Sequence, residues 1–331
     1  MFTISVLSGV ALSLYLLRKY REIQWGSCKS NKRMDRKVVI ITGANSGIGK
    51  ETATELAKRG AVVILACRNR QAAQEAVRDI RCLTGNGDLI IVELDLGNFS
   101  SIQKCADNLL EKFPRIDILI NNAGVYVPAD MEMSTTDGYE IHFGVNHLGH
   151  FHFTNLLLER LKETTESRIV VVSSLLYKGG EVDFETLGSP QLSKAALKDR
   201  KGRNPLYSDS KLCNILHAQE LKKRVAGSGT GVYVLCPGFV YTGLMRHSLP
   251  RFNWIKKLCF LPIAFLFMRS PKQGAQTSIY CAVSEELNNV PFGFFRDCKK
   301  AEFSSPLATD ELLATRLWSY SASLVEKVLS R

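Results

Sequence analysis

Thr42-Gly43-Ala44-Asn45-Ser46-Gly47-Ile48-Gly49 closes an apolar run, Lys37 to Thr42, and opens a segment of helical period, Gly47 to Arg59. A strand that passes into a helix through such a turn brings backbone close to a pyrophosphate, and the free N–H groups and dipole of the helix favour that anion. Three glycines in eight residues also occur in ordinary loops, so the flanking sequence has to decide. Ala61 to Ala66, Asp88 to Leu94, Ile116 to Asn121, Arg168 to Ser173 and Gly231 to Cys236 are further short apolar runs. They alternate with helical segments Gln71 to Leu83, Ser100 to Phe113 and a long, divided stretch, Tyr139 to Lys162. Runs that are apolar throughout suit parallel strands covered on both faces, which predicts a doubly wound α/β domain.

The 331 residues are 45% hydrophobic and 23% charged, with 24 glycines and 10 prolines, which disfavours disorder, collagen and a multi-span membrane bundle. The net charge of +11 is concentrated: residues 18–37 carry eight Lys/Arg against Glu22 and Asp35. No nucleic-acid platform accompanies it. Phe2 to Leu17 holds no charge and is followed by Arg18, Lys19 and Arg21, the pattern of a retained membrane anchor rather than a cleaved signal peptide. Sixteen residues reach about 24 Å, just short of a full span, and the positive-inside bias puts the rest of the chain in the cytosol. Nine cysteines, an odd number without C-x-x-C, predict reduced thiols. Asn98-Phe99-Ser100 then serves as a turn, with Ser100 as a candidate helix N-cap.

Leu65-Ala66-Cys67-Arg68-Asn69-Arg70, at the end of the second strand, has no carboxylate for ribose hydroxyls. Arg68 suits a 2′-phosphate instead, so NADP is preferred over NAD. Asp95, beyond the third strand, could accept from the adenine amino group. Asn121-Asn122-Ala123-Gly124 ends the fourth strand beside the ligand crevice, although such a sequence also makes a plain turn. Tyr207-Ser208-Asp209-Ser210-Lys211 puts a phenol and an ammonium on one helix face at i and i+4. A neighbouring cation lowers a phenol's pKa toward proton exchange near neutrality. The spacing alone is weak, since Tyr15 to Lys19 shows it too.

Taken in order, T-G-x-x-x-G-x-G, N-N-A-G, a serine pair ending the fifth strand and Y-x-x-x-K resemble the short-chain dehydrogenase/reductase family, across about residues 36 to 300. The anchor, Ala66-Cys67-Arg68, Asn146-His147-Leu148-Gly149-His150-Phe151 and Phe295-Arg296-Asp297-Cys298-Lys299 look most like its membrane-anchored, NADP-preferring retinol dehydrogenases. The resemblance implies a Rossmann-type sheet of about seven parallel strands and an NADP(H)-dependent exchange of a lipophilic alcohol with its aldehyde or ketone. It implies Tyr207 as proton donor and acceptor, Lys211 as ligand of the nicotinamide ribose that depresses the tyrosine pKa, and Ser174 as stabiliser of the oxyanion. Asn146 would hold a water leading to the lysine. Gly43, Asn45, Ser46, Gly47, Ile48, Gly49, Arg68, Asp95, Asn122, Ala123, Gly124, Pro237, Gly238 and Thr242, with Tyr207 and Lys211, would contact the cofactor. Ser174 is chosen over Ser173 because the family motif ends there.

Ser174 and Tyr207 lie thirty-three positions apart, where many family members have about a dozen. The insertion, Leu175 to Leu206, contains Lys194, Lys198, Arg200, Lys201 and Arg203 and is expected to shape the substrate entrance. A lid is expected over about residues 242–273. Its apolar Leu258 to Met268, bordered by Lys256, Lys257 and Arg269, fits either a surface dipping into the membrane interface or a helix packed on the core. The predicted organisation is an anchor (1–20), a basic linker (21–35) and one domain (36–331). His147, His150 and His152 lack any metal-binding spacing, so no metal is expected. Retinal and retinol lead as substrates, with steroid or long-chain lipid carbonyls, or a catalytically weak nucleotide-binding scaffold, as alternatives. The endoplasmic reticulum is the expected membrane; lipid droplets and mitochondria stay open, as does oligomeric state.

Overall fold

The computed structural model describes residues 2–85, 87–128, 131–189, 204–245 and 254–330. Seven strands run parallel: β1 (Val38–Thr42), β2 (Val62–Cys67), β3 (Leu89–Glu93), β4 (Ile118–Asn121), β5 (Arg168–Val172), β6 (Gly231–Cys236) and β7 (Phe292–Arg296). A short β8 (Lys299–Ala301) pairs antiparallel with β7, and the order is β3-β2-β1-β4-β5-β6-β7-β8. The Rossmann-type expectation of about seven strands therefore gains an eighth. Asp297 and Cys298, both at φ 55, make the tight β7–β8 turn. Lys299 and Lys300 then charge the exposed sheet edge, which blunts it against pairing with other chains.

The helices are α1 (Phe2–Gln24), α2 (Gly47–Lys58), α3 (Arg70–Thr84), α4 (Phe99–Lys112), α5 (Gly149–Glu163), α6 (Pro205–Arg224), α7 (Trp254–Phe267), α8 (Pro271–Val283) and α9 (Glu311–Leu329). Alternate β1 residues point to opposite faces. Val38 and Ile40 join the core under α4, α5, α6 and α9, whereas Val39 and Ile41 join that under α2, α3 and α8. The N-cap of α4 is Asn98, whose side chain accepts the Ser101 N–H, two residues before the expected Ser100. The stretch after Tyr139 is divided as anticipated: Phe143–Leu148 forms a π-helical turn that leads into α5.

Three features go beyond or against the sequence expectations. Helix α9, to which the sequence assigned no role, lays Leu317, Trp318 and Val325 over the outer side of α6, so that α6 is buried almost all round. Helix α1 has 23 residues, but its charge-free stretch ends at Arg18, and among the described residues no helix is long and apolar enough to cross a membrane. Helix α7 packs against α1 rather than on the domain core, leaving Leu261, Ile263, Phe265 and Phe267 exposed. Residues 246–253 of the expected lid, and Lys194, Lys198, Arg200, Lys201 and Arg203 of the insertion, lie outside the described residues.

Candidate active site

The winding reverses between β1 and β4, and the motifs meet at the carboxyl ends of those strands and their neighbours. Gly43 turns at φ 67 so close to the β4 loop that an added Cβ would stand 3.0 Å from the Ala123 Cα. At Gly49 a Cβ would lie 2.4 Å from the Gly43 oxygen, so only glycine lets α2 start there. The Thr42 hydroxyl ties the two loops, accepting the N–H groups of Asn122 and Ala123 at 2.9 Å each, while Asn122 Nδ2 donates to the Thr42 carbonyl.

Ser46 is the N-cap of α2, yet its side chain caps nothing and no acid occupies the first turn. The leading N–H groups of α2 thus remain available to an anion. Thr242 comes to this turn: a Cβ on Gly47 would sit 3.1 Å from its methyl. Arg68, exposed just after β2, makes no hydrogen bond or ion pair among the described residues. Asp95 gives one carboxylate oxygen to the Gly97 N–H at 2.9 Å. A glycine cradle, an uncapped helix start and an unengaged guanidinium beside them fit a phosphorylated dinucleotide.

Pro237 and Gly238 follow β6, and a residue the sequence had only placed at the lid border holds them. Arg269 donates from Nη1 to the Pro237 carbonyl, and its main-chain N–H donates to the Phe239 carbonyl at 2.7 Å. Its other nitrogen pairs with Asp297 at 2.5 Å. Its guanidinium stacks over Trp25, whose ring also lies 4.5 Å from the Arg18 guanidinium. Arg18 in turn donates to the Phe265 and Met268 carbonyls at 2.6 Å, at the carboxyl end of α7.

At the reacting end Tyr207 stands in the first turn of α6, 5% exposed, with the Ser174 hydroxyl beside its phenol. Ser173 is turned away and donates to the Lys211 carbonyl at 2.9 Å. Lys211 Nζ lies 5.7 Å from the Tyr207 ring centre and donates to the Val172 carbonyl at 3.1 Å. Burial pushes the phenol well above its ordinary value, and the neighbouring Ser174 hydroxyl is what opposes this. Lys211 is itself pushed down to about 8 by burial.

Gly124 lies between Lys211 and Asn146: a Cβ there would be 3.4 Å from Asn146 Oδ1 and 3.7 Å from Lys211 Nζ. The Asn146 carboxamide is committed, accepting the Val125 N–H and donating to the Val125 carbonyl and Ser210 Oγ. The Asn146 main-chain oxygen takes the Nδ1–H of His150, whose Nε2 accepts from Thr42 Oγ1 at 2.9 Å. His147 bonds Ser321, and His152 packs on Phe99, so the three histidines point to three different neighbours. Sequence reasoning missed Tyr126 and His142, whose rings stand edge-on to Tyr207 at 5.0 and 5.9 Å. It also missed Asn204, although Asn-Pro just ahead of Tyr207 is a legible helix start.

Comparison with known proteins agrees with this geometry. Residues 37–199 match the short chain dehydrogenase family. Retinol dehydrogenase 11 of Mus musculus is 42% identical over 328 residues, covering 98% of this chain and 98% of its own. Retinol dehydrogenase 14 of Homo sapiens is 44% identical over 305 residues, covering 88% and 87%. The chain belongs to the short-chain dehydrogenase family. Among solved structures, an uncharacterised protein from Mycobacterium paratuberculosis shares 32% identity at a TM-score of 0.66, over 89% of this chain and 95% of that one. A short chain dehydrogenase from Shigella flexneri, solved with NADP, shares the fold at 20% identity and a TM-score of 0.60, over 80% and 98%.

Proposed function

We propose that this protein is an NADP(H)-dependent oxidoreductase that interconverts retinol and retinal. The observation that carries the proposal is the meeting of Ser174, Tyr207 and Lys211 beside Gly124 in a chain 40–44% identical to several retinol dehydrogenases. The nicotinamide of NADP(H) supplies the hydride for reduction and takes it up in oxidation. Tyr207, kept protonated by burial, gives its phenolic proton to the substrate oxygen as negative charge develops there. Ser174, beside that phenol, offers its hydroxyl to the same oxygen. Lys211, near 8, exchanges protons close to neutral pH and returns one toward Tyr207. Asn146, whose side chain stands across Gly124 from Lys211, is the residue that would hold a water leading to the lysine. Arg68 selects the 2′-phosphate, and the N-terminus of α2 receives the pyrophosphate.

The exposed apolar residues of α1 (Leu12, Leu16, Leu17, Ile23) and of α7 (Leu261, Ile263, Phe265, Phe267), with the basic cluster of residues 18–37, support attachment to a membrane surface. A lipid-dissolved substrate would arrive there. We place the protein on the endoplasmic reticulum with its catalytic domain in the cytosol, where abundant NADPH favours reduction. NADPH oxidation by the detergent-solubilised protein with all-trans-retinal, beside a steroid ketone and a long-chain aldehyde, tests the proposal. Turnover of retinal above the other two is expected, and turnover of only the others would overturn the substrate assignment.

A further inference from the structure

Behind the Tyr207 ring runs a buried chain of hydrogen bonds that the proton chemistry above does not use. Glu140 accepts the Phe143 N–H at 2.8 Å with one oxygen and bonds His142 Nδ1 at 2.6 Å with the other. His142 Nε2 accepts the Val127 N–H at 2.9 Å. The carbonyl of the same Val127 accepts from Asn204 Nδ2 at 2.6 Å, and Asn204 Oδ1 caps α6 by accepting the Tyr207 N–H at 3.2 Å. Because Nε2 is an acceptor, the imidazole hydrogen sits on Nδ1 and is donated to Glu140. Glu140, His142, Val127 and Asn204 are each no more than 6% exposed, so every polar atom in the chain depends on its neighbour rather than on water.

We propose that Glu140, His142 and Asn204 are positioning residues that fix the Tyr207 phenol relative to Ser174. Neither main-chain polar group of Val127 is held by a strand. One side chain takes its N–H, another its C=O, and Val127 thereby connects the π-helical turn carrying Asn146 to the first turn of α6. The His142 ring stands at 82° to the Tyr207 ring and that of Tyr126 at 68°, so the two edges confine the phenol's tilt. A displacement of about 1 Å at a reacting group costs on the order of 10²-fold in rate, which makes such confinement worth a buried carboxylate and imidazole. Releasing any member frees Val127 or the α6 cap and lets Tyr207 swing away from Ser174.

The inference rests on Tyr207 being the proton donor, and its test has two readouts on the full-length protein. In the first, kcat and KM for all-trans-retinal and the Kd for NADPH are measured in Asn204→Asp, His142→Phe and Glu140→Gln. Asn204→Asp keeps an oxygen to cap α6 but cannot donate to Val127; His142→Phe keeps the ring edge but loses both hydrogen bonds. Asn204→Asp and His142→Phe are each expected to lower kcat about tenfold or more with KM and the NADPH Kd within twofold, while Glu140→Gln, which has one oxygen for the two N–H groups that Glu140 accepts, lowers it by an intermediate factor of about three to ten. In the second, amide hydrogen exchange of residues 206–211 without cofactor is expected to rise about tenfold in His142→Phe and Asn204→Asp. Unchanged kcat in folded His142→Phe, or unchanged exchange in both variants, overturns the positioning role. Full activity in Tyr207→Phe would instead remove the underlying assignment of the donor, leaving the exchange result to stand by itself.

Discussion

Tyr207 and Lys211 are both buried, and the consequences for stability and chemistry run in opposite directions. Lys211 is pushed from 10.5 down to about 8, so the folded chain binds its proton less tightly than the unfolded one. That penalty is complete below pH 8 and fades as the pH rises from about 8 to 10.5, and it amounts to roughly 3 kcal/mol. Lys211→Met should therefore unfold at higher denaturant at pH 7 than wild type while losing activity, and the difference in stability should vanish near pH 10.5. Equal midpoints at pH 7 would show that the Val172 carbonyl and the site compensate the charge in full. Arg68 gives a second prediction at this scale. If it holds the 2′-phosphate, Arg68→Asp removes a charge-assisted contact, and affinity for NADPH should fall by about 10- to 100-fold relative to NADH in a fluorescence titration. The chemistry-bearing residues were legible because glycine turns, Asn-Asn-Ala-Gly and the Tyr–Lys spacing are local patterns. Arg269 and His142 were not, because Pro237, Asp297, Val127 and Tyr207 lie well away from them in the chain, and Glu140, two residues before His142, gains its meaning only through that histidine.

Among the elements, α1 and α7 show most clearly what patterning leaves out. The apolar run before Arg18 and the one between Lys257 and Arg269 were both visible in the sequence. Their mutual packing was not, since it depends on one side chain, Arg18, capping the carboxyl end of α7 while stacking on Trp25. The arrangement separates two truncations. Deleting residues 2–17 should release the protein from liposomes in a sedimentation assay and leave KM for retinal near wild type. Deleting residues 2–20 also removes Arg18, and should raise KM several-fold through the loosened contact between α7, Arg269 and the Pro237 loop. Identical KM values for the two truncations would mean that Arg18 has no bearing on the site. Helix α6 was legible as the carrier of Tyr207 and Lys211, but its burial on all sides was not. It needs α9, whose amphipathic pattern lies beyond the motifs.

For the whole molecule, six strands and the doubly wound class followed from apolar runs that suit a sheet buried on both faces, and the parallel pairing of those strands agrees. β7 escaped because Phe292-Gly293-Phe294-Phe295-Arg296 is a brief aromatic run closed by a two-residue turn, and β8 because two of its three residues are lysines. The same close-packed core makes the fold acid-sensitive. Burial holds His147 down to about 3 and His150 to about 4, and depresses His217 well below its usual range. Below about pH 6.5 the unfolded chain gains protons that the folded chain refuses. Stability is thus full above that pH and falls by up to about 4 kcal/mol per pH unit as the pH drops toward 4. His217→Phe, placed among Phe151 and Trp318, should reduce that slope by about a third in urea titrations between pH 6.5 and 4.5. The central claim is that Tyr207 transfers the proton while the cofactor transfers the hydride, and its most direct test is NADPH consumption with all-trans-retinal by wild type and Tyr207→Phe, with NADPH binding measured alongside by fluorescence. The account predicts a loss of at least about 10²-fold in kcat with NADPH binding intact. Equal turnover by the two proteins would contradict it.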